Sequence, residues 1–305
     1  MLLLLLLGGC AAPLQSQRLL KAPPADFSQP VLLSAVPFYP QQIHQCGPAA
    51  LATVLDWSGA AVTPEALAPQ VYVPGREGSL QVELLAAARR HGRIAYVLRP
   101  RLEDLLAEVH AGHPVLVLQN LGLSWYPRWH YAVVIGYDLD ADRLTLRSGD
   151  EAMHTETLEL FERTWDRGND WAVVVLKPGQ MPARAEPLRY LQAVVGFERL
   201  GNWQAAAASY RAALKRWPDN VAAAMGLGNS YYARGELAKA AARYRAVLHD
   251  HPDYAPALNN LAQTLAELGR WDEAAGYARR AVQIGGPQVD TYRQTLESIR
   301  THAPR

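Results

Sequence analysis

The stretch Pro40–Val54, PQQIHQCGPAALATV, contains one of only two cysteines in this 305-residue chain. Cys46 is followed by Gly-Pro and then by an alanine-rich apolar run. Proline suits the first turn of a helix, because its missing N–H would have no helical partner there. The sequence therefore predicts a helix that begins near Cys46, where unpaired backbone N–H groups favour a thiolate over a thiol. The alternative is a small buried cysteine without reactivity, which is the commoner state of a lone cysteine.

A reactive thiolate needs a base, and one of the nine histidines has a suitable context. His130 opens the run HYAVVIGYD, which has the pattern of a buried strand ended by Gly136 and a loop. A histidine at the start of a central strand can be held rigidly while its ring faces a cleft. The other histidines lie at predicted helix ends, in turns or in a repeat region, or have no clear context. We therefore expect Cys46 and His130 to act together.

The two motifs, QQIHQCGPAAL and HYAVVIGYD, together resemble the bacteriocin-leader-processing peptidase-like group of papain-fold cysteine peptidases. The similarity covers roughly Val36 to Lys177. It implies an α+β papain-like domain in which Cys46 is the nucleophile and His130 the general base and acid. Gln41 matches the glutamine that helps to form the oxyanion hole, where an amide donor beside the Cys46 backbone N–H stabilises the tetrahedral oxyanion.

The third catalytic residue is where the chain departs from that family. The family places an Asp-Pro pair at the end of the strand after the histidine strand, whereas here RLTLR is followed by Ser148-Gly149-Asp150-Glu151. Asp150 is the nearest carboxylate and is our candidate, although it is about two residues out of register. Ser148 occupies the expected position but would orient the imidazole only weakly. Loss of the third group slows such a reaction rather than forbidding it.

Two segments near the motifs are expected to border a substrate groove in front of a mostly antiparallel sheet. The run LSWYPRWH places Trp125, Tyr126 and Trp129 just before His130. These aromatic side chains either form one wall of the groove or pack against the sheet edge, and the sequence favours neither reading. The glycine-rich stretch GREGS, residues 75–79, is expected to form the opposite lip.

The N-terminus, MLLLLLLGGCAAPLQSQ, resembles a bacterial lipoprotein signal with Leu7-Gly8-Gly9-Cys10 as the lipobox. The resemblance implies a signal peptide over 1–9, a lipidated Cys10 and a tether over 10–35. It also implies anchoring at the periplasmic face of a bacterial envelope, and Ala11 favours the outer membrane. No Lys or Arg precedes the leucines, so a generic cleaved signal or a misread start is the alternative. With Cys10 lipidated, Cys46 has no disulfide partner.

Beyond a proline-punctuated linker over 178–186, the composition becomes rich in alanine and tyrosine with a helical period. Gly201, Gly235 and Gly269 recur at intervals of 34 residues, which resembles tetratricopeptide repeats. We expect an all-α solenoid over 187–301, with three repeats and a capping helix from Gln288 to Thr301. The repeat positions that line the concave groove hold Met225, Asn229, Tyr232, Asn259 and Gln263. Carboxamides there suit capture of an extended peptide, and a solvated groove without a ligand is the alternative.

Composition restricts the remaining function classes. The formal net charge is +1 and no Lys/Arg run occurs, so nucleic acid is not an expected partner. No metal or cofactor is expected, because the paired His and Cys residues lack further ligands at workable spacing. The sequence predicts a lipid-anchored envelope cysteine peptidase whose repeats recruit a protein substrate or partner. A papain-like acyl transferase or amidase and a catalytically weak binding scaffold are the alternatives.

Overall fold

A computed structural model describes residues 14–41 and 45–302 of the chain. The chain divides into two compact units, the first ending at Val175 and the second starting at Leu176, except that Pro182–Arg184 belongs to the first unit. Within the described residues, no helix is both long enough and apolar enough to cross a bilayer.

The first unit is organised around a mainly antiparallel sheet of seven strands in the order β4-β9-β5-β6-β7-β8, with β1 paired to β6. A separate two-stranded ribbon joins β2 to β3. Every residue of β5 is buried, as are seven consecutive residues of β6, because helices cover both faces of the sheet centre. The strands are β1 (Val31–Leu32), β2 (Tyr72–Val73), β3 (Gly78–Ser79), β4 (Ile94–Val97), β5 (Val115–Asn120), β6 (Trp129–Asp138), β7 (Arg143–Ser148), β8 (Glu151–Glu156) and β9 (Ala172–Leu176).

Six α-helices surround this sheet: α1 (Gln15–Lys21), α2 (Cys46–Trp57), α3 (Pro64–Val71), α4 (Gln81–Arg90), α5 (Leu102–His110) and α6 (Leu158–Asp166). The predicted helix start at Cys46 is confirmed, with Pro48 in its first turn. All residues from Gly47 to Leu55 are buried, and α2 shares one apolar core with β5 and β6. Burial on this scale fixes the first turn of α2, which carries Cys46, against the sheet.

Residues 14–35 do not form the expected tether, because they pack onto the first unit. The carboxylate of Glu162 in α6 accepts hydrogen bonds from the backbone N–H groups of Gln15 and Ser16, both at 2.7 Å, and from Ser16 Oγ at 2.6 Å. Phe27 is buried with its ring 5.8 Å from that of Tyr137. Further on, β1 extends the sheet by pairing with β6. Residues 10–13 of the predicted tether lie outside the described residues.

The predicted linker over 178–186 is hydrogen-bonded along its length rather than free. On the side of the second unit, the carbonyl of Gln180 accepts from the Tyr190 hydroxyl at 3.0 Å. On the side of the first unit, the Ala183 N–H donates to Glu108 at 2.8 Å, and the Arg184 guanidinium donates to Glu103 at 3.0 Å.

The second unit is a run of seven helices that alternate as the 34-residue period predicts. Tyr210 lies on Gly226 so closely that a Cβ at this glycine would be 2.3 Å from the ring, and Tyr244 lies on Gly228 in the same way. This close packing of a tyrosine ring on a glycine holds successive helices together. The helices are α7 (Pro187–Arg199), α8 (Trp203–Arg216), α9 (Val221–Ala233), α10 (Leu237–Asp250), α11 (Ala255–Glu267), α12 (Trp271–Ile284) and the capping helix α13 (Val289–His302).

Candidate active site

Cys46 is the first residue of α2 and borders a cavity of about 930 Å³ at the end of the central sheet. The next residue is glycine for a steric reason. A Cβ at position 47 would lie 2.4 Å from Ser79 Oγ and 2.6 Å from Ser79 Cβ, so a larger residue would push β3 off the helix. The sequence Cys-Gly-Pro thus combines a thiol, a close contact and a helix-starting proline.

The thiol of Cys46 is subject to two opposing influences. Burial raises its pKa, while the backbone N–H groups of Tyr131, Gly47 and Cys46 itself lower it. The net shift is upward, because the cost of desolvating a thiolate exceeds the stabilisation by these donors. The sequence-based expectation that the helix N-terminus favours a resting thiolate is therefore wrong for this geometry, and the resting group is a thiol.

His130 is the second residue of β6, where it pairs with Gln119 of β5. Its Nε2 lies 2.8 Å from Ser148 Oγ. Burial, followed by the positive charges of His154 and Arg128, lowers the pKa of His130 to about 4. The ring is consequently neutral near pH 7, and a neutral imidazole whose Nε2–H donates to Ser148 keeps the Nδ1 lone pair free to accept a proton.

The structure does not bring Asp150 to His130. Ser148 and Glu151 pair across the ends of β7 and β8, so Gly149 and Asp150 form a two-residue turn. Gly149 has φ +60°, and Asp150 is exposed at the tip of this turn. Among the hydrogen bonds between described residues, the one at the His130 ring is to Ser148 and not to Asp150. The geometry therefore assigns the orienting position to Ser148.

Gln41 borders the same cavity as Cys46 and His130. Its backbone N–H donates to the carbonyl of Gly149 at 2.9 Å, and its Nε2 donates to the carbonyl of Tyr131 at 3.2 Å. A carboxamide nitrogen carries two hydrogens, so the bond to Tyr131 fixes the amide and leaves one donor for a ligand. Residues 42–44, between Gln41 and the start of α2, lie outside the described residues.

The cavity has two lips. Residues 76–79 form one of them, as the glycine-rich stretch predicts, and Pro127–Tyr131 form the other. Trp129 lines the cavity, which corresponds to the first of the two alternatives left open by the sequence, the groove wall. Trp125 and Tyr126 are 80 % and 68 % exposed and lie outside the lining, so neither the wall nor the sheet-edge reading describes them.

The loop that carries these aromatic residues is held by its own hydrogen bonds. The Asn120 side chain accepts from the backbone N–H of Gly122 at 2.9 Å and from that of Arg128 at 2.8 Å. Leu123 and Tyr126 exchange backbone hydrogen bonds, both of 3.1 Å. Large apolar side chains at this exposure on a hydrogen-bonded loop form an apolar rim beside the cavity, and such patches on proteins mark interaction sites.

The predicted groove residues of the second unit lie on α9 and α11, but several are already engaged. Asn229 Oδ1 accepts from the Tyr244 hydroxyl at 2.8 Å and from Asn260 Nδ2 at 3.0 Å. Gln263 Nε2 donates to the Tyr232 hydroxyl at 2.7 Å. The Asn229 amide is therefore part of the packing between the repeat helices, because its Oδ1 already accepts from the buried Tyr244 and the half-buried Asn260.

Asn259 and Met225 differ from those residues. Both are buried, and Met225 belongs to the apolar core of the repeats. Asn259 is 5 % exposed, and its Oδ1 has no hydrogen-bond partner among the described residues. A buried acceptor without a partner costs free energy that an incoming donor would recover. Asn259 is thus the groove residue whose hydrogen-bonding capacity the packing leaves unused.

Comparison with known proteins agrees with this architecture. Residues 33–170 match the Peptidase_C39 like family, and residues 191–242 and 228–289 match the tetratricopeptide repeat. The N-terminal part of the chain therefore contains a Peptidase_C39-like domain, and the helices that follow match tetratricopeptide repeats, which confirms the predicted fold class. No match was found among curated proteins.

Solved structures similar to the first unit include a candidate C39-like peptidase from Bacillus anthracis, at 23 % identity over 49 % of this chain and 98 % of that one, with a TM-score of 0.43. The peptidase domain of Streptococcus ComA, a bifunctional ABC transporter of a quorum-sensing pathway, is 20 % identical over 47 % and 98 %, with a TM-score of 0.38. A double-glycine-motif protease from an AMS/PCAT transporter, in complex with its leader peptide, is 22 % identical over 46 % and 89 %, with a TM-score of 0.34.

Proposed function

We propose that the chain is a cysteine peptidase that cleaves peptide bonds through an acyl-enzyme on Cys46. The observation that carries the proposal is the placement of Cys46, His130 and Gln41 around one cavity, with Ser148 hydrogen-bonded to Nε2 of the histidine ring. The match of residues 33–170 to the C39-like family supports this assignment.

The proposed reaction begins with Cys46 as a neutral thiol and His130 as a neutral imidazole. As Cys46 Sγ attacks the substrate carbonyl carbon, His130 Nδ1 takes the thiol proton, and Ser148 accepts from Nε2–H to stabilise the imidazolium. The Cys46 backbone N–H and the free hydrogen of the Gln41 amide stabilise the oxyanion. His130 then protonates the leaving amine as the C–N bond breaks. Water, deprotonated by His130, attacks the thioester, and the proton returns to Sγ as the C–S bond breaks.

Substrate trapping tests this proposal directly. The Cys46→Ala variant should retain substrates from bacterial envelope extracts, and the wild-type protein should cleave the same proteins at defined bonds, with masses identified by mass spectrometry. Products with free carboxyl ends support hydrolysis. Products that carry an added amine acceptor would instead indicate that the protein is an acyl transferase. If wild type cleaves nothing that Cys46→Ala retains, the proposal fails.

We also propose that the repeats recruit a protein segment through the groove between α9 and α11. The exposed amide of Gln263 supplies a donor for an extended backbone, and the buried Oδ1 of Asn259 is an acceptor whose capacity is unused. Asn259→Leu should weaken partner capture several-fold, while cleavage of a short peptide is unchanged. Gln283→Leu on α12, an exposed carboxamide on the second helix of its repeat, is the matched control. Equal capture by Asn259→Leu and by the control would exclude this groove as the recruiting surface.

Lipid anchoring is the third part of the proposal, and it rests on the lipobox-like sequence before Cys10. Cys10 itself lies outside the described residues. Metabolic labelling with a palmitate analogue should mark the protein, and Cys10→Ala should abolish the label and release the protein from membranes. Full membrane retention of Cys10→Ala would contradict anchoring through this cysteine at the periplasmic face of the outer membrane.

A further inference from the structure

Tyr131 contacts the site through three different groups, although the sequence analysis assigned it no role. It follows His130 in β6 and is 3 % exposed. Its backbone N–H faces the Cys46 thiol, and its carbonyl accepts from Gln41 Nε2 at 3.2 Å. Its phenol donates to the carbonyl of Ser79 at 3.1 Å. One residue therefore joins the nucleophile, the amide donor and the far lip of the cavity.

Residues 76–79, which line the cavity, belong to a short ribbon over residues 72–79, called the 72–79 lip, which has little support of its own. It consists of β2 and β3, each two residues long, joined by a 3₁₀ turn over Pro74–Arg76. Glu77 has φ +49°, a backbone conformation that non-glycine residues adopt only at a cost. A two-stranded ribbon of this length is not stable alone, so its position depends on what it contacts.

Ser79 is the point at which this lip meets the rest of the domain. Its side chain packs against Gly47 in the first turn of α2, and its Oγ is buried without a hydrogen-bond partner. Its carbonyl is held by the Tyr131 phenol. The missing Cβ at Gly47 lets Ser79 pack closely against the helix, and the hydrogen bond from Tyr131 attaches the lip to the sheet.

We propose that Tyr131 is a positioning residue, whose phenol fixes the 72–79 lip so that the cavity holds a peptide with its scissile carbonyl at Cys46. This inference rests on the proposed peptidase function. Because burial raises the pKa of the phenol, the hydroxyl stays protonated and remains a donor over the working pH range. Loss of the hydroxyl frees the lip and weakens peptide binding, but it leaves the thiol and His130 unchanged.

The test compares Tyr131→Phe with Tyr137→Phe. Both residues are buried in β6, and both substitutions remove a single hydroxyl. The ring at 131 keeps its edge-to-face contact with Trp171, whose centroid is 5.8 Å away, so the core packing is retained. The Tyr137 hydroxyl lies 3.0 Å from His110 Nδ1, and Tyr137 does not line the cavity, which makes it the matched control.

Three measurements on the full chain separate lip positioning from a structural role. Trypsin cleavage after the exposed Arg76, followed by mass spectrometry, reports lip mobility without requiring peptidase activity. Inactivation by the peptidyl epoxide E-64 gives a binding constant and a rate constant. Alkylation by iodoacetamide reports the thiol alone.

For Tyr131→Phe we expect cleavage after Arg76 to be several-fold faster and the E-64 binding constant to weaken by about tenfold. The rate constant for inactivation of Tyr131→Phe by E-64 and its rate of alkylation by iodoacetamide should stay within about twofold of wild type. For Tyr137→Phe, all four quantities should stay within that range. The proposal would be overturned if trypsin cleaved Tyr131→Phe after Arg76 no faster than wild type. It would also be overturned if the alkylation rate fell in Tyr131→Phe but not in Tyr137→Phe. If E-64 fails to inactivate wild type, the peptidase proposal is in question, while the trypsin result still decides the role of Tyr131.

Discussion

The two units of this protein bring their interacting side chains together in different ways. In the first unit, the residues that we propose as catalytic come from the start of α2, the start of β6 and the end of β7, so that only the complete sheet brings them together. In the second unit, Tyr244 meets Asn229 of the preceding helix and Tyr210 meets Gly226 of the next one. The difference predicts that single changes remove function in the first unit without unfolding it, whereas changes in the repeats act through stability between neighbours.

Substitution of His130 should give the largest effect. His130→Ala removes the proton acceptor for Cys46, and we expect kcat/KM for a cleaved peptide to fall by about 10³-fold with little change in the melting temperature. His154→Ala is the control, because it removes a nearby histidine while the hydrogen bond between His130 and Ser148 is kept. Retention of a tenth or more of the activity by His130→Ala would mean that another group takes the proton.

The pH dependence of Cys46 alkylation distinguishes a neutral thiol and imidazole at Cys46 and His130 from a thiolate–imidazolium ion pair. Since burial raises the thiol pKa and lowers that of His130 to about 4, the thiolate is a minor species at neutral pH. The iodoacetamide rate should therefore rise by about 100-fold between pH 6 and pH 8, in proportion to the thiolate fraction. A flat rate across this range would indicate a thiolate–imidazolium pair and would reverse our assignment of the resting state.

A matched pair of glycine substitutions tests the nearest-neighbour character of the repeats. Gly226→Ala places a methyl group against the Tyr210 ring, and we expect the free energy of unfolding to fall by about 1–3 kcal/mol. Gly276→Ala on α12 has open space around the new methyl group and should raise the free energy of unfolding by up to about 1 kcal/mol, because alanine favours helix.

Urea denaturation followed by circular dichroism measures both free energies. Turnover of a short peptide should be unchanged in both variants, because the reactive groups belong to the other unit. Loss of turnover in Gly226→Ala under conditions where the first unit is folded would show that the two units are energetically coupled, and the comparison between them would break down.

The smallest effect should come from the third position of the site. Ser148→Ala removes the hydrogen bond at His130 Nε2, so we expect turnover to fall by about tenfold through loss of ring orientation. Asp150→Asn, at the exposed tip of the turn, should change turnover by less than about twofold. The reverse order of the two effects would restore Asp150 as the third residue.

Local and periodic features of this protein could be predicted from the sequence, and features set by the turn geometry and by burial could not. The 34-residue period predicted the repeats because repeat contacts join neighbours in the chain. Cys-Gly-Pro likewise predicted the start of α2. The position of Asp150 depended on a two-residue turn at Gly149, and the protonation of Cys46 depended on burial by distant elements. The spacing of residues in the sequence predicts neither the position of Asp150 nor the protonation state of Cys46. Tyr131 was missed because a strand pattern does not indicate which buried tyrosine donates a hydrogen bond.

The attachment of α1 to Glu162 has a consequence for where the enzyme can work. The first helix of the described residues begins at Gln15, and four residues of sequence separate it from Cys10. With Cys10 lipidated as we propose, the body can be no more than about 18 Å of extended chain from the acyl group. Such an enzyme cannot search the periplasm for distant proteins, and its substrates must come within a few nanometres of the membrane that holds it.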